Sequence, residues 1–299
     1  MRVMIRALAL ALMLMGCFAL AEGEYQENQW NYVEASMDVS HGIPEDAEGV
    51  LMRIRETGLL RVATEPYFPP QEFIDPSKEG QDAFVGSDML MARRIAQRMG
   101  VELRIVPMEF SQVLAAVAEG SCDLAISALS YTPERAGRVT LSKGYYFSED
   151  NAGTGLLIRQ ADAGTLTTIK ALAGRDIAAQ SGSLQEAQMA ENVPSYHQFR
   201  RLASLDDVYN ALRSGRVDAV AVNVESGRNY IESAPDCGLT FMEGVVFKME
   251  PQFEGDRVAA RKGETQLIAF VNGVIDELAA SGEYDRWYSE AEALAAQLG

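Results

Sequence analysis

Cysteine, histidine and positive charge are all scarce in this chain of 299 residues. There are three cysteines (Cys17, Cys122 and Cys237) and two histidines, His41 and His197. A secreted scaffold held by disulfides would carry many more cysteines, and no two of these have the short spacing of a zinc site. With histidines so few and so far apart, a metal cluster or a histidine-dependent nucleophile is poorly supported, and no metal or cofactor is expected. Lys and Arg number 26 against 43 Asp and Glu, a formal charge of −17. That balance would repel nucleic acid and anionic membranes; its plainest role is solubility, with a weak bias toward cationic solutes. Long apolar runs are missing too: beyond the first residues, no segment is long and apolar enough to cross a bilayer.

What is present begins with a leader. Arg2 and Arg6 form a basic start, and residues 7–15 an apolar run too short to span a membrane but suited to a secretory signal. Two cleavage points fit within residues 1–21. Leu14-Met15-Gly16-Cys17 resembles a lipobox, which would make Cys17 the lipidated first residue, and Ala19-Leu20-Ala21 has the small-x-small form of an ordinary signal-peptidase site. The first is preferred, and both put the mature chain outside the cytoplasm. Residues 22–49 are acidic and lack Lys and Arg. They read as a spacer between membrane and domain, although Trp30, Tyr32 and Val33 leave docking onto the body open.

From Val50 onward the pattern is α/β. Leu60 to Thr64 reads as a strand running into Glu65-Pro66-Tyr67-Phe68-Pro69-Pro70, where the prolines forbid regular structure. Asp88 to Met99 carries Leu90, Met91, Ile95 and Met99 on one helical face and stops at Gly100. Ser111 is expected to cap the next helix. Asp123 to Leu129 is a nearly continuous apolar run, as in a strand covered on both faces. Strands at 155–159, 176–179 and 217–222 alternate with helices opened by Ser183, in a Ser-x-x-Glu capping box, and by Ser204. Such alternation predicts largely parallel sheets. Ligands of open α/β sheets sit beyond the carboxyl ends of strands, so the loops after Thr64, Leu129, Ala179 and Val222 are the ones to inspect.

Those loops carry a coherent set of groups. Thr132 and Pro133 read as an N-cap and first helical residue, which puts Arg135 in the first turn. The helix dipole disfavours a cation there, so Arg135 is expected to serve an anion, and its planar fork suits a carboxylate. Gln180-Ser181-Gly182-Ser183 offers a tight turn and free helix amides, a second anion-friendly site.

At this point the sequence resembles the family 3 bacterial solute-binding proteins, the polar amino-acid-binding proteins of ABC importers with the type II periplasmic-binding fold. The similarity rests on Gly58-Leu59-Leu60-Arg61-Val62-Ala63-Thr64-Glu65-Pro66, Phe84-Val85-Gly86-Ser87-Asp88, Thr132-Pro133-Glu134-Arg135, Gln180-Ser181-Gly182-Ser183, Gly215-Arg216-Val217-Asp218-Ala219 and Ser281-Gly282-Glu283-Tyr284-Asp285, in this order. The resemblance implies a two-lobed α/β fold with two hinge crossovers: lobe 1 from 50–149 and 253–299, lobe 2 from 150–252. It also implies roles. Phe68 and Phe110 would sandwich the ligand side chain. Ser130 and Arg135 would hold an α-carboxylate, met from lobe 2 by Ser183 and the Leu184 amide. Ala128 would offer its carbonyl to an ammonium, and Glu65, with Gln185 as a further candidate, would face the side-chain end.

Two positions depart from the family pattern. The Asp that binds the ammonium in relatives is Asn223 here, which brings no charge. Glu65 or Glu225 would then have to supply it, or the ligand would lack a free α-ammonium. Gln71 stands where relatives often have an aromatic. The expected activity is capture of a small carboxylate solute by a non-enzymatic monomer that docks on a membrane permease. Two alternatives are a dehydratase using Glu65 as general acid, and a sensory protein presenting its closed form to a receptor.

Overall fold

The computed structural model describes residues 25–148 and 153–298. The leader and the lipidation expected at Cys17 lie outside the described residues.

Helix α1 (Gly49–Thr57) leads into β1 (Leu59–Thr64), and a small antiparallel sheet follows from β2 (Tyr67–Phe68), β3 (Glu72–Ile74) and β4 (Phe84–Val85). Then come α2 (Ser87–Met99), β5 (Glu102–Pro107), α3 (Phe110–Ala118), β6 (Leu124–Ser130), α4 (Pro133–Arg138) and β7 (Val139–Leu141). The chain next builds β8 (Thr154–Arg159), β9 (Asp176–Gln180), α5 (Leu184–Asn192), β10 (Gln198–Leu202), α6 (Leu205–Arg213), β11 (Ala219–Asn223), α7 (Val224–Ser233) and β12 (Leu239–Phe247). It ends with β13 (Asp256–Arg261), α8 (Thr265–Ser281) and α9 (Glu283–Leu298).

Strand pairing divides these elements into two lobes. The first sheet runs β5-β1-β6-β13-β7 and the second β10-β9-β11-β8-β12. The chain therefore leaves the first sheet after β7, completes the second, and returns at β13. The two crossing segments meet as an antiparallel bridge, Tyr146 to Asp256. The expected parallel pairing holds for three strands of each sheet, β5-β1-β6 and β10-β9-β11. The strands that enter from a crossover, β8 and β13, pair antiparallel with their neighbours, because they arrive from the opposite end without an intervening helix.

Each sheet is covered on both faces, which is why its central strands read as apolar runs. Leu60, Val62, Leu124, Ile126 and Ile95 bury themselves with Phe270 and Val271 of α8 on one side of the first sheet, and Val113, Val117 and Leu141 occupy the other. Two local expectations need correction. Ser111 is an interior residue of α3, whose N-cap is Glu109 without a side-chain cap bond. The proline-rich loop is partly regular: Tyr67 and Phe68 pair with Phe73 and Glu72 on either side of a cis Pro69–Pro70 bond, since the prolines lie between the paired residues and leave their amides free.

The acidic amino-terminal segment lies along lobe 1. Val33 and Val39 are fully buried there, and Tyr32 bridges to Leu141 of β7. Buried Asn272 of α8 donates from Nδ2 to the carbonyls of Val33 and Ala35 at 2.8 and 2.9 Å. Cys122 and Cys237 are buried free thiols in different lobes. Among the described residues no helix is long and apolar enough to cross a membrane.

Candidate ligand cleft

The ends of β1, β6, β9 and β11 converge on one cleft between the lobes, lined from the first by Glu65, Phe68, Phe110, Ala128, Ser130 and Arg135 and from the second by Ser183, Leu184, Gln185 and Asn223. All the sequence-selected candidates among the described residues thus border the same space.

Arg135 owes its position to local capping. Thr132 accepts a hydrogen bond from the Arg135 amide at 3.1 Å, and Pro133 occupies the first turn. The side chain is 6% exposed. Its Nη1 donates to the Ser130 carbonyl at 2.6 Å, and its Nη2 crosses the cleft to the Gly182 carbonyl at 2.9 Å. The guanidinium carbon lies 5.6 Å from the Phe110 ring centroid. Burial draws its pKa down to about 10, partly opposed by Asp256 and Glu134, so the group remains a cation at neutral pH. A guanidinium has five N–H donors; two carbonyls leave most of the fork for an anion.

Ala128 has φ 45, one of two non-glycine residues in the left-handed region among the described ones. The β6–β13 register shifts here, because Arg257 pairs with Leu129 and Ala259 with Ala125. Between these pairs three residues of β6 stand against one of β13, a bulge that turns backbone groups out of the ladder. Asp88 pins it by accepting from the Ala128 amide at 3.0 Å. Asp88 also accepts from Tyr145 and Tyr284, each at 2.8 Å.

Buried acids surround this bulge. Glu65 is 2% exposed and accepts from Nε2 of Gln180, across the cleft, at 3.1 Å. Burial pushes its carboxyl up to about 7, against the lowering effect of that hydrogen bond. Asp256 accepts from Nε2 of Gln71 at 2.8 Å, and burial raises it also to about 7. Glu72 is raised well above the carboxylate range by burial and by the nearby Asp88 and Glu65. Its Oε1 accepts from the Ser127 hydroxyl at 3.1 Å.

Lobe 2 adds two helix starts. Ser183 is the N-cap of α5, accepting from the Glu186 amide at 3.0 Å and donating to the Gln180 carbonyl at 2.7 Å. Its hydroxyl is thus engaged within its own turn, at a helix start of the kind whose free amides favour an anion. Asn223 caps α7 by accepting from the Ser226 amide at 3.1 Å. Glu225, in the first turn of α7, accepts from Tyr146 at 3.0 Å and from Tyr288 of α9 at 2.6 Å, and the two tyrosine rings stack 4.4 Å apart. The lobes are therefore held together by Arg135 on Gly182, Gln180 on Glu65, and the tyrosine pair on Glu225.

Sequence reasoning missed Asp256, Tyr146, Tyr288 and Glu72, which also line the cleft. No local pattern marks them: they reach the site through the crossovers, the carboxyl-terminal helix and the proline hairpin. Gln71 was singled out as a departure, and its partner Asp256 explains it: an amide can steer that carboxylate and an aromatic ring cannot.

Two α/β lobes with a double crossover and a polar cleft at their strand ends define a two-lobed solute-binding protein. The chain belongs to the bacterial extracellular solute-binding proteins, family 3, whose pattern matches residues 60–290. It is similar to the L-cystine-binding protein TcyJ of Escherichia coli K12, 26% identical over 249 residues, 81% of this chain and 86% of TcyJ. It is also similar to the solved structure of AbpA, an amino acid ABC transporter substrate-binding protein of Streptococcus pneumoniae bound to L-arginine. That match has a TM-score of 0.71 and 32% identity, covering 83% of this chain and 99% of AbpA. A third similar structure is the ancestral amino-acid-binding protein AncCDT-1, described as a precursor of cyclohexadienyl dehydratase, with a TM-score of 0.68 and 25% identity, covering 81% of this chain and 99% of the ancestor.

Proposed function

We propose that this protein is the extracytoplasmic substrate-binding subunit of an ABC importer and captures an L-α-amino acid, closing its lobes around it. The observation that carries this reading is Arg135, a buried cation at the floor of the cleft that reaches both lobes. A buried cation is stable only with anionic or dipolar partners, and a ligand carboxylate would meet Arg135 from one side and the α5 amides from the other. Size supports the class. The cleft holds a cavity of about 120 Å³, and one water needs roughly 10–15 Å³. That is room for roughly ten waters, enough for a single amino acid.

In this account Phe68 and Phe110 flank the ligand side chain and Gln185 borders its far end. The mature protein acts as a monomer that shows its closed form to a membrane permease, and Cys17 carries the lipid that keeps it at the cell surface. A thermal-shift screen of the mature chain against the standard L-amino acids, L-cystine, betaines and polyamines tests the reading, since a ligand that binds only the folded state raises Tm. A shift with one or a few amino acids is expected; shifts only with solutes lacking a carboxylate would overturn it.

One observation favours a second reading. Glu65, protonated up to about pH 7, has the character of a general acid, and AncCDT-1 is described as a dehydratase precursor. Time-resolved ultraviolet absorbance with cyclohexadienyl substrates separates the two: aromatisation that is lost in Glu65→Gln would establish the enzyme, and no turnover leaves the binding protein.

A further inference from the structure

Asp256 is a cleft residue that neither capping nor core packing accounts for. It opens β13, where it sits opposite Ser130 in the antiparallel register. Directly opposed residues lie roughly 4.5–5.5 Å apart, and the Ser130 carbonyl is the one that holds Nη1 of Arg135. Both backbone groups of Asp256 are fixed by the other crossover: its amide donates to the Tyr146 carbonyl and its carbonyl accepts from the Tyr145 amide, each at 2.9 Å. One carboxylate oxygen, Oδ2, accepts from Gln71 at 2.8 Å. The residue is therefore held by three separate elements beside the Arg135 anchor, and it lines the cleft.

In an α-amino acid the ammonium nitrogen is two bonds from the carboxylate carbon. A ligand whose carboxylate rests on Arg135 beside Ser130 must place its ammonium within about one strand spacing, toward Ala128 or toward Asp256. On the lobe 2 side, Asn223 is neutral and uses Oδ1 to cap α7. Glu225 is already shared by two tyrosine hydroxyls. Building on the amino-acid reading above, we propose that Asp256, steered by Gln71, accepts the ligand's α-ammonium, so that carboxylate and ammonium are both recognised on lobe 1 and its hinge.

The electrostatics agree with the geometry. The groups facing Asp256 are Gln71, Asp88, Glu225 and Arg135, with Tyr145, Tyr146, Tyr284 and Arg257 also within its field. Burial, with Asp88 and Glu225 adding to it, raises its carboxyl to about 7, and a hydrogen-bonded ammonium would draw it back toward the ordinary carboxylate range. Binding then releases a proton below pH 7, and affinity falls toward a tenfold loss per pH unit as pH drops below that value.

The test is calorimetry on the mature full chain with each standard L-amino acid and its deamino acid, for instance L-arginine and 5-guanidinopentanoate. A charge-assisted hydrogen bond predicts that the wild type prefers the amino acid on the order of 10–100-fold. Asp256→Asn should collapse that preference to under about threefold and should flatten the pH dependence. A preference that survives D256N overturns Asp256 alone. No binding of any amino acid by the wild type overturns the amino-acid reading and this one with it. Should D256N fail to fold, Gln71→Ala must lower the preference at least threefold, and an unchanged preference counts against the proposal.

Discussion

Glu65 and Gln180 face each other from different lobes, and their hydrogen bond is made at the expense of Glu65 hydration. The carboxyl rises from 4.5 to about 7 on burial, a cost on the order of 3 kcal/mol to ionise it in the closed form. The sign follows directly. The closed form binds more protons than an open form in which Glu65 is wet, so closure without ligand is favoured at low pH and weakens as pH rises through about 7. Small-angle scattering of the ligand-free protein should show a larger radius of gyration at pH 8 than at pH 5, and Glu65→Gln should remove the difference. A radius independent of pH in the wild type would refute this. Asn223 permits a second prediction. Asp caps a helix as well as Asn, so Asn223→Asp should keep α7 intact and add a charge to the cleft. With the ammonium held by Asp256, it should change amino-acid affinity by less than about threefold at pH 7.5 by calorimetry; a gain of about tenfold or more would place the ammonium beside α7 instead.

At the scale of elements, the small sheet after β1 sets the floor of the cleft. Gly86 links β4 to α2 with φ 115, and a Cβ there would fall 2.2 Å from the Gln71 carbonyl oxygen. Gly86→Ala should therefore push Gln71 and Asp88 off position, with a loss on the order of 3 kcal/mol by chemical denaturation. A loss under about 1 kcal/mol would show that the hairpin is loose. The same elements mark what was legible in the sequence. Glycine stops, Ser and Thr caps and the apolar runs of β6 and β11 located the alternating framework, because each is a local signal. The Thr132, Pro133 and Arg135 spacing placed Arg135 in the first turn of α4 for the same reason. Asp256, Tyr146 and Tyr288 stayed hidden because their roles arise from the double crossover and from α9 returning to the hinge, contacts that no window of sequence contains. Ser111 misled because a polar residue early in a helix looks like a cap whether it stands at the boundary or one turn position inside.

For the whole molecule, the amino-terminal segment belongs to the folded body. Val33 and Val39 are buried, and Trp30 meets Phe253 edge-on at 5.4 Å while Phe253 stacks on Tyr131 at 4.4 Å. The segment thus touches the chain just before the second crossover. Removing residues 25–48 uncovers the surface they pack on, Phe253 and Tyr131 included, and leaves Asn272 without its two acceptors, a loss on the order of 5 kcal/mol. Thermal unfolding of the 49–299 chain should show a Tm lower by 10 °C or more, and an unchanged Tm would contradict the packing. If Cys17 is lipidated, only the residues between it and Tyr25 span the gap to this docked segment, a reach of at most about 30 Å. Lobe 1 would then ride close to the membrane that carries the permease.

If Arg135 receives a ligand carboxylate between the lobes, its loss must show in isothermal titration of the wild type and Arg135→Ala with the amino acid that gives the largest thermal shift. The wild type should bind measurably and R135A at least about 100-fold more weakly, with the variant still folded by circular dichroism. Near-wild-type affinity in folded R135A would contradict it.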